Sequence, residues 1–301
     1  MSRAGVVQTG SESGSVVQTI DMQRCAKTTD SPFLDVFPAP HPWLRSAAAA
    51  ALLVLSTFMQ FVPRGDTCLH RQSGAILHLR ADEAHVLGRL LDGRHSAINY
   101  LEFGSGGSTK LMAWLTLQPG MRLKVHSVES DPRYAEFVRN GSSYVREAEL
   151  RGTLHYHVPF NLSTSLWGRP IGWSVDDARR YVEAASPRHG HAMRHGTHPH
   201  RFDVIFIDGR YRVACALHAL RVAHPNTSVL IHDFVDGLRM PLAHLTRQYQ
   251  SKTAMFYHLV ERTSQLAWLR PRHAALVDAR SGANGFQAAY TAALADAARR
   301  R

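Results

Sequence analysis

From about residue 75 onward the apolar positions switch repeatedly between two spacings. Residues 81–91 place Ala84, Leu87, Leu90 and Leu91 on one helical face. Residues 98–103, 124–129, 154–158, 202–208 and 227–233 are short apolar runs with the length of buried strands. Between them the pattern predicts helices over residues 108–117, from Asp131-Pro132 onward, over 176–185, over 213–222 and near 237–249. Pro132 suits the first position of its helix, where a missing N–H costs nothing. Two late runs, 254–260 and 265–269, flank Glu261-Arg-Thr-Ser264 and read as a hairpin. Strand–helix alternation means βαβ units around a parallel sheet. The expectation is an α/β domain over residues 75–275 with a mostly parallel, seven-stranded sheet closed by an antiparallel hairpin. Residues 276–301 form a helical or disordered tail. No internal repeat is present.

The first third has a different texture. Residues 1–42 are rich in Ser, Thr, Gln, Gly and Pro, lack periodicity and read as a disordered tail. Residues 47–62 are uncharged and apolar, with Arg45 and Arg64 on either side. As a helix this run spans about 24 Å, and Trp43, Leu44 and Pro63 extend it toward the bilayer thickness of about 30 Å. Residues 43–64 are therefore expected to be a single transmembrane signal anchor, with Trp43 at the headgroup level. A buried or amphipathic helix and a cleaved targeting segment stay open as alternatives.

Composition changes this picture in three places. The formal charge of +11 favours anionic partners, but much of it is Arg scattered through the chain, as on a generally basic surface. The three cysteines, Cys25, Cys68 and Cys215, form no C-x-x-C pair, which speaks against a zinc site or a disulfide framework. Three of the five asparagines, Asn140, Asn161 and Asn226, sit in N-glycosylation sequons. Anchor and sequons together predict a single-pass protein of the Golgi or endoplasmic reticulum with a lumenal C-terminal domain. The alternative is a cytoplasmic protein with chance sequons.

The chemistry concentrates at strand ends. Glu102-Phe-Gly-Ser-Gly-Gly-Ser-Thr109 joins the first strand to a helix. Gly104, Gly106 and Gly107 let the backbone turn sharply and approach a ligand, and the helix start offers free N–H groups. Ser105, Ser108 and Thr109 add hydroxyl donors. Glu129 ends the second strand, 27 residues after Glu102, where a carboxylate can accept both ribose hydroxyls of an adenosine ligand. A dinucleotide fingerprint would need a third glycine where Thr109 stands, and a carboxylate at Glu102 would repel a pyrophosphate. Asp208 and Asp233 end two further strands, in Asp203-Val-Ile-Phe-Ile-Asp208-Gly-Arg-Tyr-Arg212 and Val229-Leu-Ile-His232-Asp233. Ligands of parallel sheets lie outside the strands' carboxyl ends, so all four acids belong to one edge.

These motifs resemble those of class I S-adenosylmethionine-dependent methyltransferases, over residues 80–270. Glu102–Thr109 looks like motif I of that superfamily and Ile207-Asp208-Gly209 like the motif IV of small-molecule O-methyltransferases, with a distant likeness to polysaccharide O-methyltransferases. The resemblance implies a Rossmann-like methyltransferase fold. It implies that Glu102, Gly104, Ser105, Gly106, Gly107, Ser108, Thr109, Glu129 and, after the third strand, Asn161 hold S-adenosylmethionine. Asp208, His232 and Asp233 are the candidate catalytic residues. His232 has the unperturbed pKa best suited to a general base. Metal-dependent relatives hold a divalent cation such as Mg²⁺ with two carboxylates and an amide or third carboxylate, which would assign Asp208 and Asp233. Phe234 stands after Asp233 where such a relative has Asn. Arg210 and Arg212 either bind an acidic acceptor or pair with Asp208 and Asp233.

The His-rich stretch 188–201 reads as a flexible basic loop rather than a metal site. No N-P-P-Y or D-P-P-Y tetrapeptide is present, which speaks against nucleic acid as the substrate. The expected function is O-methylation of a glycan or small hydroxylated acceptor. The alternatives are a non-catalytic, membrane-anchored scaffold of the same fold and an NAD-dependent oxidoreductase.

Overall fold

A computed structural model describes residues 81–92, 97–159, 164–165, 169–170, 172–186, 201–234 and 249–299. The tail 1–42, the expected anchor 43–64, Asn161, all but the last residue of the helix near 237–249 and all but the last residue of the His-rich stretch lie outside the described residues. Among the described residues no helix is long and apolar enough to cross a membrane.

Helix α1 (Ala81–Asp92) precedes strand β1 (Ile98–Phe103). The chain then runs α2 (Gly107–Thr116), β2 (Leu123–Val128), α3 (Pro132–Asn140), α4 (Ser143–Leu150) and β3 (Leu154–His157). A two-residue ribbon, β4 (Thr164–Ser165) with β5 (Arg169–Pro170), leads to α5 (Val175–Glu183). Next come β6 (Phe202–Ile207), α6 (Arg212–Val222), β7 (Ala223–Ile231), β8 (Tyr257–Arg262) and β9 (Ala267–Pro271). Helices α7 (His273–Ser281) and α8 (Asn284–Arg299) finish the chain.

The main sheet has seven strands in the order β3-β2-β1-β6-β7-β9-β8. Strands β3, β2, β1, β6 and β7 are parallel neighbours, while β9 pairs antiparallel with both β7 and β8. The expected hairpin is therefore present, with its second strand inserted between β7 and the edge. The chain starts in the middle, builds outward to β3, then returns to place β6 on the other side of β1. That reversal opens a crevice above the carboxyl ends of β1 and β6.

Both sheet faces are covered, so the central strands are buried on both sides. Leu101, Phe103, Ile205 and Ile207 face a core completed by α5, α6, α7 and α8. Ile98, Tyr100, Val204 and Phe206 face a second core completed by α1, α2, α3 and α4. Such strands read as continuous apolar runs rather than alternating ones, which is why residues 98–103 and 202–207 stand out in the sequence. Helices α7 and α8 contribute Leu276, Phe286, Tyr290 and Leu294 to the first core, so this segment is part of the domain rather than an appendage.

Local caps explain the helix starts. Asp131 accepts from the backbone N–H groups of Arg133 and Tyr134 ahead of α3, and Ser174 and Asp177 form a reciprocal capping box on α5. Helix α4 was not anticipated. Ser142 caps it only two residues after α3 ends at Asn140, so in sequence the two short helices merge. Cys215 is fully buried, as a small core residue should be.

Candidate functional site

At the ends of β1 and β2 two carboxylates flank the glycine-rich loop. Glu102 is fully buried. Its Oε1 accepts from Ser127 Oγ at 2.7 Å and from Thr109 Oγ1. Thr109 Oγ1 in turn accepts the Gly106 N–H at 2.9 Å, which ties the loop to the start of α2. Among the described residues Glu102 Oε2 has no hydrogen-bond partner. Burial pushes the Glu102 carboxyl up to about 7, against the hydroxyl bonds that favour its charge.

Glu129 is buried and its carboxylate accepts from the loops around it. Its Oε2 accepts from Ser105 N–H and Oγ at 2.9 and 2.8 Å. Its Oε1 accepts from Ser130 N–H at 2.7 Å, Ser130 Oγ at 3.1 Å and Asp131 N–H at 2.9 Å. Gly104 adopts φ +93°, a region side chains disfavour. A Cβ there would lie 2.7 Å from the Gly209 backbone, and one on Gly209 would lie 2.3 Å from Tyr181 Oη. The loops after β1 and β6 therefore meet glycine to glycine, which gives a packing reason for the Asp208-Gly209 pair. The Asp208 N–H also donates to the Phe103 carbonyl.

At the ends of β6 and β7 charge dominates. Arg212, in the first turn of α6, lies between two carboxylates with its side chain 13% exposed. Its Nη2 lies 3.2 Å from Asp208 Oδ1 and 2.9 Å from Asp233 Oδ2. Its Nη1 donates to the His232 carbonyl and its Nε to the Gly209 carbonyl at 3.2 Å. Of the two readings of Arg212, the geometry is the internal pair with Asp208 and Asp233. Burial opposes its charge, but the two carboxylates outweigh that and hold its pKa above the ordinary value. Arg210, two residues earlier, is half-buried.

His232 Nδ1 lies 2.9 Å from Asp208 Oδ1. Its Nε2 faces Glu83 Oε2 at 3.5 Å, a long ion pair rather than a formed hydrogen bond. Burial alone would discharge His232, but the bond to Asp208, the contact with Glu83 and the charges of Asp208 and Asp233 raise it to about 10. That direction favours the imidazolium form and weighs against the general-base role expected of His232 from its unperturbed value. Glu83 was missed from sequence. It is fully buried on α1, far away in the chain, and only its place in an acidic first turn hinted at a role.

Tyr211 and Asp233 both have left-handed backbone, at φ 60° and 54°. Such conformations cost a non-glycine residue about 1 kcal/mol each and tend to occur at functional sites. Here they bracket the charged cluster, one immediately before Arg212 and one immediately after His232.

Asp208, His232 and Asp233 each bring one donor atom to within 4.8 Å of the others, the spacing of a cation site. The Arg212 guanidinium already stands between the two carboxylates, so the residues present do not fit a metal ion as arranged.

The strand order, with one antiparallel strand inserted next to the edge and both carboxylate pairs at one sheet end, decides the architecture. The domain has the class I methyltransferase fold. No protein-family model matches the sequence, and no curated protein does. Solved structures similar to the chain include a methyltransferase-like protein from Silicibacter pomeroyi, at 22% identity over 68% of this chain and 97% of that one, TM-score 0.43. The O-methyltransferase TomG from Streptomyces achromogenes, solved with S-adenosylmethionine, matches at 19% identity over 73% and 96%, TM-score 0.40. An O-methyltransferase from Bacillus cereus, solved with S-adenosylhomocysteine, matches at 13% over 76% and 93%, TM-score 0.38. These likenesses are loose. The assignment of the methyltransferase fold rests on the strand order.

Proposed function

We propose that the chain is an S-adenosylmethionine-dependent methyltransferase that methylates a hydroxyl of a glycan or small acceptor. The observation that carries this reading is the pair Glu102 and Glu129, at the ends of adjacent strands with the glycine-rich loop between them. Glu129 has the position and the acceptor oxygens to take both ribose hydroxyls, sharing or replacing the bonds from Ser105. Glu102 has a buried oxygen beneath the loop without a partner among the described residues, which a donor from the ligand or its water would satisfy. Asn161 remains a candidate for the adenine side.

The cofactor, when bound, supplies an electrophilic methyl group on a sulfonium. The chain's residues then position the acceptor hydroxyl and take its proton as the new C–O bond forms. Asp208 and Asp233 are the acceptors for that proton, since His232 is held toward its charged form. Arg210 is the remaining candidate contact for an acidic acceptor.

The NAD-dependent reading is disfavoured by Glu102, whose carboxylate below the loop would oppose a pyrophosphate. One observation favours the non-catalytic reading: both carboxylates are engaged by Arg212, so no unpaired base waits for substrate. Turnover separates the two. With methyl-labelled cofactor and a panel of hydroxylated acceptors, an enzyme transfers label and loses most of that rate in Asp208→Asn. A folded chain that binds cofactor but labels nothing supports the scaffold. For location we propose a membrane anchor at residues 43–64 and a lumenal domain. Asn140 and Asn226 are exposed, as glycosylated residues must be. Endoglycosidase sensitivity of the expressed full chain tests this, and an unshifted band would speak for the cytoplasmic alternative.

A further inference from the structure

The cluster at the ends of β6 and β7 has the donor set of a divalent-cation site and carries a cation of its own. We propose that Arg212 is a built-in replacement for a divalent metal, so that this site works without one. For catalysis the proposal rests on the methyltransferase reading. For metal binding it stands apart from that reading.

The argument is geometric. Asp208, His232 and Asp233 converge within 4.8 Å, and a hard cation would be held chiefly by the two carboxylates. The Arg212 guanidinium reaches both of them, at 3.2 and 2.9 Å. It is fixed there by the carbonyls of Gly209 and His232, which belong to the two loops that carry those acids. A cation in the first turn of a helix is disfavoured by the helix dipole. Its place at the start of α6 is therefore explained by the carboxylates and not by the helix. The left-handed backbone of Tyr211, which caps α6, sets Arg212 at the head of that helix, over Asp208. A guanidinium does not lose its proton in a protein, so it cannot vacate the site by titration as a lysine could.

The test uses Mn²⁺ as the probe, a hard cation that suits carboxylate ligands. Free Mn²⁺ is followed by electron paramagnetic resonance as the full chain is titrated. The wild type is expected to show no Mn²⁺ site that depends on Asp233, up to about 1 mM. Arg212→Gln, which keeps length but removes the charge, is expected to gain a site at least about tenfold tighter, abolished by adding Asp233→Asn. Arg212→Lys keeps a cation and is expected to gain none. If Arg212→Gln does not fold, Arg212→Met is read the same way. Wild-type binding that is lost in Asp233→Asn overturns the proposal. So does a folded neutral variant that gains nothing. Methyl transfer by the wild type in excess chelator is expected to be unchanged, and a rate restored only by Mg²⁺ or Mn²⁺ also overturns it. Absence of transfer under every condition counts against the enzyme reading while the Mn²⁺ result stands.

Discussion

The two halves of the sheet's carboxyl edge each hold a pair of acids and treat them in opposite ways. At β1 and β2, Glu102 and Glu129 are held by neutral donors: hydroxyls of Ser105, Thr109, Ser127 and Ser130 and backbone N–H groups. At β6 and β7, Asp208 and Asp233 are compensated by full charges on Arg212 and His232, with Glu83 behind them. Neutral donors leave an acid ready for an uncharged ligand group such as a ribose. Ion pairs fix an acid's position and charge and resist rearrangement. The difference suggests a binding half made of exchangeable hydrogen bonds and a reacting half made of a rigid charge array.

The largest break in this comparison comes from Arg212. Arg212→Ala leaves two acids and an imidazolium in a partly buried cluster, and the loss should lie between the roughly 1 kcal/mol of an exposed pair and the about 3–5 kcal/mol of a fully buried one. Urea denaturation should read that loss at neutral pH. A loss below about 1 kcal/mol would mean the array behaves like an exposed ion pair.

The next effect is a pH dependence on the other side. Glu102 titrates near 7 when folded against an ordinary value of 4.5. The folded state therefore binds its proton more tightly than the unfolded chain. Its contribution is complete below pH 4.5 and lost as pH rises to about 7, by about 3 kcal/mol. Glu102→Gln should remove that slope and be more stable than the wild type at pH 8. His232 follows the same sign in a higher window. Its contribution is complete below about pH 6.5 and lost as pH rises through about 10. Stability should thus fall in two steps, the lower absent in Glu102→Gln and the upper absent in His232→Gln. A single step would mean that the two halves titrate as one.

Gly209→Ala tests the seam between the halves. Its new methyl group meets Tyr181 Oη and the Gly104 backbone, which should cost about 1–3 kcal/mol and weaken cofactor binding through the shifted loop. Thermal melts with and without ligand would show both. The smallest effect should be Ser105→Ala, which removes one hydroxyl bond to Glu129 and leaves the backbone bond in place. It should cost about 1 kcal/mol or less, with little change in pH dependence.

The binding half was legible in the sequence because its parts are close together. Glycines, hydroxyls and both acids lie within one βαβ unit, and the apolar runs of β1 and β2 place Glu102 and Glu129 at strand ends. The parallel sheet and its hairpin were legible for the same reason, since buried strands are short uninterrupted apolar runs. The reacting half was legible only in its acids. That Arg212 bridges them depends on the left-handed turn at Tyr211, a conformation no Tyr signals by itself. That His232 is held toward its charged form depends first on its bond to Asp208 and then on Glu83, which α1 brings from 149 residues earlier in the chain. Pattern reading assigned His232 its unperturbed pKa because the partners that shift it are contributed by the tertiary fold.

The central claim is that Glu102 and Glu129 form an adenosyl-cofactor pocket, and it is tested most directly by calorimetric titration of the full chain. S-adenosylmethionine and S-adenosylhomocysteine should bind with micromolar affinity, NAD should not, and Glu129→Ala should lose at least about 2 kcal/mol of binding, the worth of charge-assisted hydrogen bonds. A folded chain that binds neither adenosyl compound, or binds both equally well in Glu129→Ala, would contradict the account.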